Sequence, residues 1–386
     1  MSHFPSATLN EVCDFQNGGT PSKAIARYFT GDIPWITGAD LVGPVAQNAR
    51  SFITEEAITS SATNKVPAGT VLLVTRTSVG KVAIAGTELC FSQDITALLP
   101  DSAKLDAGYL VHFLRTKEDH FSRYARGATI KGITRQVVAD LVIPLPPLQE
   151  QRRIAAILDQ AETLRTQRRT ALALQGSLTQ SLFLDMFGDP VANPKGFIKQ
   201  PLSVVAEITT GSTPGRGADG YYGGNIPWVK TTEVTGGEIH DTEEKLTEAG
   251  LKAIRGKLHP INSIVVAMYG QGQTRGRCAL LCIEASCNQA CGVIRPSEEF
   301  VPRFMFAQLL LAYERLRALG RGGNQENLNL QLLGSFEVLV PPEVLQQTFA
   351  TRIASIEALK TTHRQALAAL DALFASLQQR AFAGQL

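Results

Sequence analysis

No stretch of this 386-residue sequence is long and apolar enough to cross a bilayer, which takes about 20 consecutive apolar residues. The opening MSHFPSATLNEV has neither a basic flank nor a hydrophobic core, so no signal peptide is expected. Six cysteines without such a signal predict reduced thiols and a cytoplasmic location. Charge of one sign is also lacking: 37 Lys and Arg face 35 Asp and Glu, a net +2, so any basic footprint must be local. Catalytic signatures are missing. The glycine-rich run Gly270-Gln271-Gly272-Gln273-Thr274-Arg275-Gly276 has no Gly-Lys-Ser/Thr end, which excludes a P-loop. There is no Asn-Pro-Pro-aromatic or Asp-Pro-Pro-Tyr motif for methyl transfer to an amino group. The double prolines Pro146-Pro147 and Pro341-Pro342 follow Leu145 and Val340, which cannot hydrogen-bond an amino nitrogen. The six histidines are scattered. No catalytic residue, no metal site and no cofactor of the chain's own is predicted.

What the sequence does have is a duplication. Gly31-Asp32-Ile33-Pro34-Trp35-Ile36 returns as Gly224-Asn225-Ile226-Pro227-Trp228-Val229, and Gly18-Gly19-Thr20-Pro21 returns as Gly211-Ser212-Thr213-Pro214, both 193 residues on. Pro67 and Pro260 share that offset. After a small insertion Gln93 matches Gln289 and Pro100 matches Pro296 at 196, and Arg126-Gly127 and Pro146-Pro147 match Arg321-Gly322 and Pro341-Pro342 at 195. The only two tryptophans are mates. A repeat of this kind sets the architecture. Each copy reads as loops and strands first, with buried strands at 71–75 and 264–268. Short helices follow near 107–124 and 302–319, and a last strand ends in the double proline, where proline stops the ladder.

After each double proline comes a proline-free helix, 148–188 and 343–386, of about 55–60 Å at 1.5 Å per residue. In the first, Ile157, Leu164, Ala171 and Leu178 repeat by seven beside Ile154, Ala161, Arg168, Gln175 and Leu182. In the second, Phe349, Ile356, His363, Leu370 and Leu377 run beside Ile353, Lys360, Leu367, Phe374 and Ala381. Apolar heptads with polar breaks predict a coiled-coil seam; the other reading packs each helix on its own domain. The fold class is α+β: two similar mixed α/β domains, each followed by a long helix, the helices pairing as an antiparallel coiled coil with pseudo-two-fold symmetry. The predicted boundaries are 1–147 for the first domain and 148–188 for the central helix. A linker follows at 189–200, then the second domain at 201–342 and the distal helix at 343–386. Gly188 and Pro190 supply the stop after the first helix.

Duplex DNA has local two-fold axes, and a two-fold reader meets half-sites about 34–36 Å apart. Because the two domains differ, the expected target is split and asymmetric, with an unread spacer. Basic residues cluster at matching places: Arg115, Lys117, Arg123, Arg126, Lys131 and Arg135 in one copy, and Lys252, Arg255, Lys257, Arg275 and Arg277 in the other. Such clusters neutralise phosphate; for any single member a solvated helix face or loop is the better reading, and only the clustering at matching places favours phosphate. Base reading takes donor–acceptor side chains on exposed loops. The loop at 75–81 supplies Arg76, Thr77, Ser78 and Lys81, and its mate at 269–277 supplies Gln271, Gln273, Arg275 and Arg277. Arg126, Thr129, Lys131 and Arg135 in the first copy, and Lys230, Arg321, Asn324 and Gln325 in the second, complete the candidate DNA-binding set. The candidate helix-seam and docking set is Ile154, Ile157, Leu164, Leu178, Phe349, Ile353, Ile356, Leu370, Phe374 and Leu377.

Cys278, Cys282, Cys287 and Cys291 could hold zinc as four thiolates. Their mates at 196 are Val82, Gly86, Phe91 and Ile95, three of them apolar. Even spacing within each pair puts both residues on one strand face, so buried core is the preferred reading.

Together these features resemble the specificity subunit (HsdS) of type I restriction–modification enzymes over nearly the whole chain. Ile143-Pro144-Leu145-Pro146-Pro147-Leu148-Gln149-Glu150-Gln151 is similar to that family's junction between recognition domain and helix. The run Arg126-Gly127-Ala128-Thr129-Ile130-Lys131-Gly132-Ile133 is similar to its loop before the last strand. The second junction, Pro341-Pro342-Glu343-Val344-Leu345-Gln346-Gln347, departs by an extra residue and lacks the first proline. The resemblance implies two target recognition domains, double-stranded DNA as ligand, and helices that dock two modification (HsdM) subunits. Restriction (HsdR) subunits would join that assembly. It also implies that S-adenosylmethionine is bound by the modification subunit and not by this chain. The alternative from the residues alone is a non-catalytic adaptor whose domains bind proteins or glycans; a hydrolase using Asp94 or Glu233 has no motif to support it.

Overall fold

The computed structural model describes residues 4–127, 131–217, 220–270, 273–319 and 327–386. The chain forms two compact units: residues 1–169 with 365–386, and residues 170–364. Each unit therefore contains one globular domain, part of one long helix and part of the other.

In unit one a five-stranded sheet runs in the order Cys13–Asn17, Ile95–Pro100, Val71–Val74, Val82–Ala85, Val45–Ala46. Its neighbours are antiparallel except the last pair, which is parallel. The central strand Val71–Val74 is fully buried, as an unbroken apolar run demands when both faces are covered. A second sheet has the order Ser51–Ile53, Ile33–Ile36, Leu89–Phe91, Lys65–Val66. Ser6–Thr8 pairs with Val142–Pro144, the strand that ends at the double proline.

Unit two repeats this order. Its five-stranded sheet is Ile208–Thr210, Cys291–Ile294, Ile264–Ala267, Cys278–Leu281, Glu238–Ile239, with the last pair again parallel. The second sheet keeps three strands, Glu244–Leu246, Tyr222–Val229 and Ser286–Cys287. An isolated bridge, His259 to Ala285, stands where unit one has its fourth strand. Ile198–Pro201 pairs with Glu337–Val340, so residues read as linker already enter a strand.

The matched motifs have physical reasons. Trp35 Nε1 donates to the Gly19 carbonyl at 3.0 Å, and Trp228 Nε1 donates to the Ser212 carbonyl at 3.1 Å. A Cβ on Gly18 would overlap the Ser92 carbonyl, and one on Gly211 the Cys287 carbonyl. Only glycine allows the backbones that close. At the helix junctions, Gln151 Nε2 donates to the Pro146 carbonyl at 2.9 Å and to the Lys104 carbonyl at 2.8 Å, while its Oε1 accepts from the Asp106 N–H. Gln346 Nε2 donates to the Pro341 carbonyl at 2.8 Å, and its Oε1 accepts from the Val301 N–H. These buried glutamines are mates at 195, so the second junction has no extra residue once the prolines are aligned; the missing first proline remains, with Leu339 in the place of Pro144.

The short helices are broken in two: Ala107–Arg115 and Glu118–Tyr124 in unit one, Pro302–Leu311 and Tyr313–Leu319 in unit two. The long helices span Leu148–Phe187 and Glu343–Ala383. Within unit one the start of the first helix runs antiparallel to the end of the second. Ile154, Leu158 and Ala161 share a core with Phe374 and Ala381, and Phe382 meets Tyr109 and Phe113 at 5.1 and 5.5 Å between ring centroids. Arg165 Nε reaches Asp371 at 2.6 Å and its guanidinium covers the Phe374 ring at 4.3 Å. Within unit two, Phe183, Phe187, Phe304, Phe349 and Ile353 form the corresponding cluster.

One register needs correction. The inward stripe of the first helix runs through Gln151, Ile154, Leu158 and Ala161, which are buried, then through half-buried Arg165, Arg168, Leu172, Gln175, Thr179, Leu182 and Met186, with Phe183 and Phe187 fully buried at its end. The set read through Ile157, Leu164, Ala171 and Leu178 lies one residue off it. Leu164 and Leu178 are each 44% exposed, and Ile157 is half-buried. The seam accepts Arg165 because an arginine stem covers apolar surface while its head finds a carboxylate. In the second helix Phe349, Ile353 and Phe374 are buried, and Ile356, Leu370 and Leu377 half-buried.

Candidate nucleic-acid interface

In unit one the buried strand Val71–Val74 runs into the loop at 75–81. The loop is closed by hydrogen bonds from Val74 N–H to the Lys81 carbonyl at 2.9 Å and from Gly80 N–H to the Val74 carbonyl at 3.0 Å. Gly80 has φ +98° and Thr77 has φ +66°. A β-branched residue in that region is strained by about 1–3 kcal/mol, a cost that persists only where surrounding contacts enforce it. Here they do: Thr77 N–H donates to the Lys131 carbonyl at 3.0 Å, and Ile133 N–H donates to the Thr75 carbonyl at 2.9 Å. Gly132 bridges both Arg76 and Arg126. Two segments distant in sequence, 75–77 and 131–133, are thereby sewn together, bringing Arg76, Thr77, Arg126 and Lys131 to one exposed edge. Ser78 and Lys81 are exposed on the same loop. None of these four basic side chains has an ion pair among the described residues. Thr129 lies outside the described residues.

Arg135 stands apart from that edge contact, its guanidinium over the Phe15 ring at 5.0 Å. Two other members of the basic segment are packed. Lys117 sits 4.7 Å over the Phe113 ring, and desolvation pushes both its ammonium and the Arg115 guanidinium below their ordinary pKa values.

Unit two builds the same loop with the same bonds. Ala267 N–H donates to the Arg277 carbonyl at 2.9 Å, Gly276 N–H to the Ala267 carbonyl at 2.9 Å, and Leu328 N–H to the Met268 carbonyl at 3.0 Å. Gly276 has φ +84°, matching Gly80, and Arg277 takes the place of Lys81. The offset changes from 193 to 196 inside this hairpin, so the second loop is three residues longer than its mate. It packs on the helix Tyr313–Leu319: Tyr313 Oη donates to the Gln273 carbonyl at 2.8 Å. Arg277 Nη2 donates to Gln273 Oε1 at 3.0 Å, and Arg275 Nε is buried with no hydrogen-bond partner among the described residues. Gln271, Arg321, Asn324 and Gln325 lie outside the described residues.

Lys230 does not join this edge. Its ammonium lies 2.9 Å from Glu243 and 3.1 Å from Glu244, and those carboxylates hold its pKa above the usual lysine value. It is withdrawn from the DNA-binding set because its charge is already compensated. Lys252 and Arg255 belong to the helix Glu248–Ala253 and the turn after it, not to the hairpin loop.

All six cysteines are free. Cys278, Cys287 and Cys291 are buried on three different strands, so Cys287 and Cys291 do not share one strand face as their spacing suggested. Burial pushes the Cys278 thiol up to about 12. A hydrogen bond from Cys291, with His259 beside it, draws the Cys287 thiol below the usual cysteine value. Cys282 is half-buried and points elsewhere, toward Glu238. Sequence reading missed Gln151 and Gln346 as junction clamps, although their shared offset was available. It also missed the Thr75–Ile133 pairing, which no local pattern reveals.

A family model for the type I restriction modification DNA specificity domain matches residues 1–173 and again 194–371. The chain belongs to that family. Among curated relatives, the type I restriction enzyme MjaIX specificity subunit of Methanocaldococcus jannaschii is 24% identical over 365 residues, covering 88% of this chain and 84% of the relative. The EcoR124I/EcoR124II specificity subunit of Escherichia coli is 32% identical over 164 residues, 41% of this chain and 40% of the relative. The crystal structure of the S subunit from M. genitalium covers 99% of this chain and 96% of its own, with TM-score 0.65 at 16% identity. A chain from a type I restriction–modification assembly has TM-score 0.62, also at 16% identity, covering 99% of this chain and 98% of its own. The protein is thus a specificity subunit with two DNA recognition domains, and its role is target recognition, not catalysis. No helix among the described residues is long and apolar enough to cross a membrane.

Proposed function

We propose that each recognition domain reads one part of a split, asymmetric DNA target through the hairpin loop at its sheet edge and the segment paired with it. The observation that carries this is the shared frame. Both loops close by the same backbone bonds and end on a basic residue, Lys81 or Arg277, while their lengths and side chains differ. A common frame fixes where the loop stands, and differing side chains let each copy meet different base edges. In unit one Arg76, Arg126, Lys131 and Lys81 act on phosphate or guanine, with Thr77 and Ser78 as smaller donors. In unit two Gln273, Arg275 and Arg277 take those roles; the Arg275 Nε has no hydrogen-bond partner among the described residues and is a donor left to be satisfied. Gln271, Arg321, Asn324, Gln325 and Thr129 extend the two sets.

The helices supply the second half of the reading. Leu164 and Leu373 in unit one, and Leu174, Leu178, Leu184 and Leu359 in unit two, are large apolar side chains exposed on the long helices. On this reading these leucines form part of the faces that meet the modification subunits. One modification subunit per unit gives two per chain, with restriction subunits joining the complex. S-adenosylmethionine is then held by the modification subunits, and this chain carries no cofactor. The setting is the cytoplasm, where cellular DNA is methylated.

The test is to map methylated sites in a host carrying the complex, then replace residues 75–81 by 268–277. The reading expects the half of the target read by the first domain to change while the other half and the methylation chemistry persist. An unchanged motif, or simultaneous loss of both halves with assembly intact, would overturn it.

A further inference from the structure

Unit two carries a donor set that unit one lacks and that DNA reading does not use. The edge strand Glu238–Ile239 runs parallel to Cys278–Leu281. Ile239 is buried in the core, so Glu238 and His240, one residue to either side, stand on the opposite face. The Cys282 N–H donates to the Ile239 carbonyl at 2.9 Å, which sets the Cys282 side chain against those two. Glu238 Oε2 accepts from the Cys282 thiol at 3.5 Å and lies 3.1 Å from His240 Nε2. The sulfur, imidazole nitrogen and carboxylate oxygen all fall within 4.8 Å of one another. The other Glu238 oxygen is held by Arg303 Nη1 at 2.7 Å, from the first turn of the helix Pro302–Leu311, which fixes the carboxylate and leaves Oε2 to the cluster.

Unit one shows that the scaffold does not require these residues. There Gly86 N–H donates to the Ala46 carbonyl, again at 2.9 Å, and the edge strand Val45–Ala46 has the same register. The equivalent positions are Val45, Gln47 and Gly86. A Cβ on Gly86 would come within 2.8 Å of Val45 Cγ1 and 3.2 Å of Gln47 Cβ. A side chain at this position therefore points between its two neighbours on the edge strand, as Cys282 does between Glu238 and His240.

We propose that Glu238, His240 and Cys282 bind a divalent transition-metal ion of the zinc class, with solvent as fourth ligand. Ligand atoms bound tetrahedrally to zinc at about 2.0–2.3 Å stand about 3.3–3.8 Å apart. Two of the three separations, 3.1 and 3.5 Å to Glu238 Oε2, are already near that, and the third, sulfur to imidazole nitrogen, lies within 4.8 Å and closes by rotation of the exposed His240 side chain. A thiol, an imidazole and one carboxylate suit zinc, whereas calcium and magnesium take oxygen donors. His240 is exposed and Cys282 only half-buried, so the ion has a way in; the other five cysteines are buried. Burial and the Glu238 carboxylate push the Cys282 thiol up to about 11. The bound ion would offset both effects, with the thiol proton released to solvent. An ion held here ties the edge strand to the end of its neighbour, and so stabilises unit two alone.

The full-length chain, stripped with a chelator and reloaded, provides the test. Titration with zinc against a chromophoric competitor should show one equivalent bound, with a higher unfolding midpoint when loaded. Cobalt(II) should give a thiolate-to-cobalt charge-transfer band. Cys282→Ser should abolish that band and the zinc uptake. His240→Ala, at an exposed position, should weaken zinc about tenfold or more while keeping the thiolate band and the far-UV spectrum of the wild-type chain. No zinc uptake by the wild-type chain, or uptake unchanged in either variant, overturns the proposal.

Discussion

At the scale of single residues, the groups that hold the domains together are distinct from those proposed to meet DNA. Gln151 is fully buried and satisfies one N–H and two carbonyls at the junction. Gln151→Ala leaves those groups stranded at about 1–3 kcal/mol each before relaxation, so a drop of at least 1 kcal/mol in urea unfolding is expected. A change of a few tenths would refute the clamp. Arg76→Ala and Lys131→Ala should weaken duplex binding by the assembled complex and each lower the slope of log K against log salt by about one. Lys230→Ala, whose partner carboxylates already neutralise it, should leave that slope alone. His112 gives a pH signature. It is buried, with Nε2 2.7 Å from Asp159, and desolvation holds its pKa below the usual histidine value. The folded state thus prefers the neutral ring while the unfolded chain takes up a proton near pH 6.5. Its contribution is whole above that pH and is lost as pH falls through the lower folded value. Urea midpoints measured from pH 7.5 down to 5 should fall less steeply in His112→Asn.

At the scale of elements, the helix seam shows how far periodicity carries. Two heptad sets were legible in each helix, and in the second helix the buried stripe follows both. In the first, leucines at 164 and 178 drew one set a residue off, because hydrophobicity by itself cannot rank an exposed leucine below an arginine whose stem lies across Phe374. The two kinds of position should respond differently. Phe349→Ala, fully buried among Phe183, Phe187 and Phe304, should cost about 3–5 kcal/mol in unfolding experiments. Leu164→Glu and Leu178→Glu should stay within about 0.5 kcal/mol of wild type yet impair capture of the modification subunit in a pull-down. If the latter pair unfolded the chain, the corrected register would be wrong.

At the scale of the whole molecule, each unit contains residues from both copies of the repeat. Residues 365–386 complete the core of the first domain, with Phe374, Ala381 and Phe382 among its members. Truncating the chain after residue 364 should therefore destabilise the first domain, not the second. Limited proteolysis that releases the second domain's fragments first would contradict this.

The duplication, the two domains, the long helices and the absence of catalytic motifs were determined by sequence alone, because offsets, prolines and heptads are local or periodic signals. The pairing of 75–77 with 131–133, the engagement of Lys230, the true seam through Arg165, and the meeting of Glu238, His240 and Cys282 were decided by tertiary structure. Each depends on a contact between residues distant in the chain, or on competition between burial and charge. Neither leaves a pattern along the sequence for a reader to find.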